Sequence, residues 1–298
     1  MKILVTGAAG FIGTALCRAL SSEGHQVVGA DLNEPTAPVA ETVRGDLRQS
    51  EVLEAALTPG TEAVIHLAAA TSVLLSKKDP VNVYRTNVAL TQDLLERCRQ
   101  LGVNRFVFAS TNAVVGTGAA GGVIDEGSTL VPLTPYGATK AAAEMIMSAY
   151  RHSYGLATTS LRLTNVYGPG MSVKDTMVAR IMKAARAGTS ISIYGHGELS
   201  RDYIYIDDVV DAFVTGATAG EPLPATLVLG SGTSVNVKEL HRLACQAIGM
   251  QIPAEPVEGP AGEMKAVVVD RSQADHVWGR EPVSLAEGLA ATWRAWPA

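Results

Sequence analysis

The chain has 298 residues, 47% of them hydrophobic and 18% charged, with a formal net charge of −5. That composition can bury a large core and excludes a disordered polypeptide. The acidic balance, with no basic stripe, argues against a nucleic-acid binder, although helix N-termini and a few arginines let an acidic protein hold a nucleotide.

In chain order, Ile3 to Val5 reads as a buried strand and Phe11 to Ser22 as a helix. Val27 to Ala30, Ala63 to Leu67 and Arg105 to Ala109 read as further strands, and Val83 to Leu101 as one long helix. A helix from Tyr136 to Tyr150 and a strand from Thr159 to Leu163 follow. Short, continuously apolar strands alternating with helices predict an α/β fold, a doubly wound parallel sheet covered on both faces. From Asn165 the pattern loosens into Gly- and Pro-rich turns, which predicts a smaller, interleaved C-terminal lobe for substrate. A helix over Tyr203 to Ala217 and a strand over Ala225 to Leu229 are expected to return to the main sheet. The expected division is 1–165, joined by 203–231, against 166–202 with 232–298.

Cys17, Cys98 and Cys245 are odd in number and widely spaced, which fits neither a disulfide framework nor a zinc cluster. The apolar start Met1 to Val5 is too short for a signal peptide, and no apolar run is as long as a membrane span. The expectation is a cytoplasmic protein with no metal and no membrane contact.

Thr6-Gly7-Ala8-Ala9-Gly10-Phe11-Ile12-Gly13 lies between a strand and a helix. In such a turn Gly7 permits the bend, Gly10 lets backbone approach a pyrophosphate, and Gly13 lets the helix pack on the strand. The spacing is GxxGxxG, and its strand–turn–helix setting makes it a Rossmann-type dinucleotide turn. Asp31 closes the second strand, where a carboxylate accepts the adenosine ribose hydroxyls and repels a 2′-phosphate, so NAD is expected over NADP. The plain structural alternative for Asp31 is an ordinary loop aspartate.

Tyr136-Gly137-Ala138-Thr139-Lys140 opens a helix, so the phenol and the ammonium, four residues apart, share a face. A nearby cation is expected to lower the tyrosine's pKa and make it a base for a substrate hydroxyl. Thr111 ends a strand on the same sheet edge and offers a hydroxyl to the reacting oxygen. Each has a plain structural alternative, a surface tyrosine with a solvated lysine and a capping threonine. Their combination in this order is what points to chemistry.

With these residues in place, the sequence resembles the extended short-chain dehydrogenase/reductase family, in particular its nucleotide-sugar epimerases and dehydratases. The resemblance spans nearly the whole chain, through Thr6 to Gly13, Asp31, Gly45-Asp46-Leu47, His66 to Ala69, Asn87, Ser110-Thr111, Tyr136 with Lys140, Arg162 to Gly168, and Ser200 to Tyr203. It implies that Thr111, Tyr136 and Lys140 are catalytic. Phe11 and Ile12 would line the pyrophosphate turn, Asp46 and Leu47 would hold the adenine, and Leu67, Ala68 and Ala69 would also touch the cofactor. Asn165 and Arg201 would bind the substrate diphosphate, and two long helices per subunit would pair into a homodimer.

There are departures. Asn112 and Ala113 stand where the family's 4,6-dehydratases carry an acidic pair, which argues against water elimination. Val115 replaces a usual tyrosine, and Pro260 falls where an arginine usually helps hold the diphosphate. The resulting expectation is an NAD-dependent nucleoside-diphosphate-sugar 4-epimerase. The alternative is a net dehydrogenase or ketoreductase of a sugar nucleotide or polyol.

Overall fold

The computed structural model describes residues 1–119, 122–194, 197–257 and 267–297. The chain opens with β1 (Lys2–Thr6), α1 (Phe11–Ser22), β2 (Gln26–Asp31), β3 (Glu41–Arg44), α2 (Ser50–Ala56) and β4 (Ala63–His66). It continues through α3 (Val73–Lys78), α4 (Pro80–Tyr84), a π-helical turn (Arg85–Ala89), α5 (Leu90–Leu101) and β5 (Arg105–Thr111). Next come β6 (Val123–Ile124), α6 (Pro135–Tyr154), β7 (Ala157–Leu163), β8 (Asn165–Tyr167), α7 (Met177–Ala187), β9 (Ile191–Tyr194) and β10 (Ser200–Tyr205). The last part holds α8 (Ile206–Thr218), β11 (Thr226–Leu229), β12 (Ser234–Asn236), α9 (Val237–Ile248), β13 (Ala254–Val257), β14 (Val268–Val269), α10 (Ser272–Trp278) and α11 (Leu285–Arg294).

Seven strands form one sheet in the order β11-β7-β5-β4-β1-β2-β3. β1 is parallel to both β2 and β4, and the β2–β3 and β4–β5 pairs are parallel as well. The order reverses between β1 and β4, and the crevice beyond the C-terminal ends of such a pair is where α/β sheets bind ligands. Ile3, Leu4, Val5, Val64, Ile65, Phe106 and Phe108 are fully or almost fully buried, as strands covered on both faces must be. α1 turns Gly13, Leu16, Cys17 and Leu20 inward, a one-face helical spacing. α6 starts where the Thr134 hydroxyl accepts a hydrogen bond from the Gly137 amide, with Pro135 in its first turn. It stops at Gly155, whose φ of 71° is the left-handed conformation glycine adopts freely.

The long helix expected over Val83 to Leu101 is present, with a π turn that shifts its hydrogen-bond register between α4 and α5. One expectation needs correction. Tyr203 to Tyr205 are not helical. They end strand β10, and the helix begins only at Ile206. An apolar run feeding a helix does not reveal which of its residues are extended.

The chain divides into two compact units. The first comprises Met1–Gly118, Glu126–Arg162 and Val210–Leu227. The second comprises Ala119–Asp125, Leu163–Val209 and Val228–Ala298. In the second unit β8 and β12 flank β10 in a three-stranded sheet, and β9 with β13 and β6 with β14 form small pairs. Among the described residues no helix is long and apolar enough to cross a membrane.

Candidate active site

The glycine turn follows β1 directly. Gly7 has a φ of 73°, and a Cβ on it would stand 2.8 Å from the Ala68 amide nitrogen, just beyond β4. A Cβ on Gly13 would intrude on the Gly7 carbonyl oxygen, whereas one on Gly10 would meet only that oxygen, at 3.1 Å. Gly7 and Gly13 therefore close the turn, and Gly10 leaves room above it. Gly10 is also the N-cap of α1 and makes no side-chain cap bond, so the first amides of α1, at half-buried Phe11 and Ile12, face that space. Asp31 sits beside the turn, its carboxylate accepting from the Ala9 amide at 3.1 Å and the Asn33 amide at 3.0 Å. An open cradle, a bare helix N-terminus and an adjacent carboxylate fit a dinucleotide that lacks a 2′-phosphate.

The turn is tied to its neighbours through His66. Its Nε2 lies 3.1 Å from the Thr91 hydroxyl, which donates to the Asn87 carbonyl at 2.8 Å. Nε2 must then carry the proton, and Nδ1 accepts from the Thr6 hydroxyl at 2.7 Å. Thr6 in turn accepts from the Ala68 amide at 3.2 Å. Burial, followed by the charge of Lys140, pushes the His66 pKa down to about 3, so the ring stays neutral. Leu67 donates its amide to the Thr6 carbonyl, and Ala69 lies beside Ala70, which is held by the Asn87 amide group.

Asp46 and Leu47 follow β3. Arg48 grips the Asp46 carboxylate at 2.7 Å and also reaches Asn82, which holds that carboxyl below its usual range. The Leu47 side chain is buried in the core, leaving only its backbone to face a ligand.

Thr111, Tyr136 and Lys140 meet where α6 packs on the end of β5. Tyr136, half-buried, hydrogen-bonds Thr111. Lys140 is 2% exposed; its Nζ donates to the Ala109 carbonyl at 2.8 Å and lies 4.3 Å from the Phe108 ring centre. Burial pushes the Lys140 pKa down to about 7 against the opposing charge of Glu144. Burial raises Tyr136 to about 12, with the Thr111 hydrogen bond acting the other way. Dehydration of the phenol thus outweighs the Thr111 hydrogen bond, while the Lys140 ammonium is directed at a backbone carbonyl. Behind Lys140, Glu144 accepts from the Ser110 hydroxyl and from Arg162 through Nη2 at 2.8 Å. Sequence reasoning missed Glu144. The available signal was a lone carboxylate in the apolar run Ala141 to Met147, one helical turn after Lys140.

In the second unit, Tyr203 of β10 pairs with Asn165 of β8, and Arg201 lies two residues earlier. Asn165 and Arg201 therefore share one face of the three-stranded sheet. The Asn165 amide donates to the Asp202 carbonyl at 2.9 Å, and the buried Asp202 carboxylate accepts from Thr164 at 3.0 Å and from the Ser231 amide at 2.7 Å. His196 and the Gly259-to-Glu263 segment with Pro260 lie outside the described residues. Among the described residues no three His, Cys, Asp or Glu side chains cluster as metal ligands would.

Residues 3–230 match the model of the NAD dependent epimerase/dehydratase family. The chain is 35% identical to a UDP-glucose 4-epimerase of Mycolicibacterium smegmatis, covering 98% of this chain and 97% of that protein. Among solved structures it resembles MoeE5 in complex with UDP-glucose and NAD, with a TM-score of 0.89, 34% identity, and 99% of this chain and 98% of that one covered. It also resembles the UDP-glucose 4-epimerase of Thermotoga maritima with UDP-glucose, with a TM-score of 0.91, 31% identity, and coverage of 99% and 98%. The chain belongs to the NAD dependent epimerase/dehydratase family, and it is an NAD-dependent enzyme with the Rossmann-type fold of that family.

Proposed function

We propose that this member of the NAD dependent epimerase/dehydratase family is a nucleoside-diphosphate-sugar 4-epimerase. The observation that carries the reading is the Thr111–Tyr136 hydrogen bond at the mouth of a buried lysine, with Asn112 and Ala113 offering no carboxylate beside it. When bound, NAD supplies a hydride acceptor and donor at sugar C4 and a positive ring that favours the phenolate. Tyr136 takes the proton from the C4 hydroxyl and later returns it. Thr111 holds the reacting oxygen, and Lys140 holds the nicotinamide ribose and supplies positive charge behind the phenol. On the second unit, the Arg201 guanidinium suits a diphosphate, since its fork matches phosphate oxygens, and Asn165 adds an amide on the same sheet face. A ring that inverts at C4 needs no acid to expel water, which agrees with the neutral pair at 112 and 113.

The names of the relatives make uridine diphosphate sugars the first substrates to try. The test is incubation with a panel of nucleoside-diphosphate sugars, read by product analysis and by absorbance of reduced cofactor. A C4 epimer formed without net reduced cofactor supports the reading. Stoichiometric reduction of NAD would replace it with a net dehydrogenase.

We also assign the chain to the cytoplasm, since its three cysteines are all free buried thiols. A symmetric homodimer is part of the same reading. Much of the apolar surface of α6 is spent inside the subunit, with Ala141, Ala143 and Met147 in the core. Met145, Tyr154, Val81 and Tyr84 remain exposed on α6 and α4 and offer the face for a second copy. Sedimentation at micromolar concentration should show a dimer, and a monomer would contradict it.

A further inference from the structure

Three consecutive residues of β5 hold three successive turns of α6. The Ala109 carbonyl accepts from Lys140, the Ser110 hydroxyl donates to Glu144, and Thr111 bonds Tyr136. The helical residues are four apart, so they lie on one face. Arg162 of β7 closes the row from the far side, with Nε 3.2 Å from both Glu144 oxygens and Nη2 2.8 Å from one of them. Ser110, Glu144 and Arg162 are 3%, 7% and 4% exposed.

We infer that Glu144 is a positioning residue for the reaction: clamped by Ser110 and Arg162, it fixes the register of α6 on β5 and holds Lys140 as a cation behind Tyr136. The inference rests on the reading of Tyr136 and Lys140 as the reacting pair. A buried ion pair by itself adds little net stability, because two dehydrated charges cost about what their attraction returns. The Ser110 bond gives this pair a second consequence. A slide of α6 by one residue, about 1.5 Å, would break the contacts of Tyr136, Lys140 and Glu144 with β5 together. The charge matters separately from the register. Around Lys140, α6 supplies Tyr136 and Glu144, β4 supplies neutral His66, β7 supplies Arg162 beyond Glu144, and β5 presents only a carbonyl and the Phe108 ring. Glu144 is thus the anion that opposes the dehydration of the ammonium.

The experiment is a pH titration of Lys140 by NMR in protein carrying 13C at lysine Cε, the signal being assigned by its loss in Lys140→Met. The titration needs neither substrate nor turnover. In Glu144→Gln the midpoint should fall by about one pH unit. NAD affinity at neutral pH should fall with it and recover at lower pH, which general damage to the fold would not reproduce. Ser110→Ala removes the clamp but not the charge, so its midpoint should stay near wild type while kcat drops more than KM changes. If Glu144→Gln does not fold, Glu144→Gln with Arg162→Met removes both charges, and its midpoint should still lie below wild type. An unchanged midpoint in whichever glutamine variant folds would overturn the inference. A shifted midpoint in a protein that epimerises no nucleotide sugar would leave the inference standing and remove the functional reading instead.

Discussion

The glycine turn and the β5–α6 seam sit on the same sheet but are held by different physics. The turn is shaped by side chains that are missing: Gly7 and Gly13 close it because any Cβ would collide with backbone, and His66, bonded to Thr6 at its start, is kept neutral. The seam is shaped by charge taken out of water, with Lys140, Glu144 and Arg162 all buried within one hydrogen-bonded row. A seat for a dinucleotide must be rigid and open. A seat for proton transfer must hold charge that water would otherwise screen. The difference teaches that damage to the first should appear in binding, and damage to the second in rate and pH dependence.

The sharpest break is Tyr136→Phe, which deletes only the phenol oxygen, the base in the proposed reaction. Turnover should fall by a factor on the order of 10² to 10⁴, while calorimetric NAD affinity stays near wild type. Near wild-type turnover would remove Tyr136 as the base. Gly13→Ala should do the reverse. Its methyl group must displace the Gly7 carbonyl, costing about 3 kcal/mol of stability in urea unfolding and abolishing NAD binding in whatever protein folds. An alanine variant that binds NAD normally would show that the turn tolerates side chains.

His66 offers a pH test of the neutral side. The unfolded chain takes up this proton as pH falls through 6.5, but the folded protein does so only near 3. Stability from the neutral ring is therefore complete above 6.5 and is lost as pH falls from there toward 3. At pH 5 the loss is about 2 kcal/mol, and it should be absent from the difference between pH 7 and pH 5 in His66→Gln. Equal acid sensitivity in both proteins would refute the assignment. The smallest effect is cofactor choice. NAD should bind at least about tenfold more tightly than NADP because Asp31 repels a 2′-phosphate, and Asp31→Ala should narrow that gap. Equal affinities in the wild-type protein would contradict the role of Asp31.

The same contrast explains what could be read from the sequence. The turn, α1 and the strands around them follow from local spacing: glycines three apart, then Gly13, Leu16, Cys17 and Leu20 on one helical face. Tyr136, Lys140 and Thr111 were legible as types in order. Their electrostatics were not, because burial decides that Tyr136 rises and Lys140 falls, and burial depends on strands distant in sequence. Glu144 was hidden for the same reason, its partners lying 34 residues before it and 18 after. The π turn at Arg85–Ala89 leaves the apolar periodicity nearly intact while shifting hydrogen bonds, so Val83 to Leu101 reads as continuous helix. Tyr203 to Tyr205 read as helix because the strand runs straight into α8 without a Gly or Pro between them.

The central claim is that hydride leaves sugar C4 and returns to the same carbon from the other face within one binding event. A nucleoside-diphosphate sugar carrying deuterium at C4 and 13C elsewhere in the same ring, mixed with an equal amount of the unlabelled sugar and turned over to equilibrium, tests this directly. The account predicts that the deuterium stays at C4 of the 13C-labelled molecules, with none passed to unlabelled sugar, to solvent or to a pool of free reduced cofactor. Deuterium appearing in water, or accumulating in released NADH beside a 4-keto product, would contradict it.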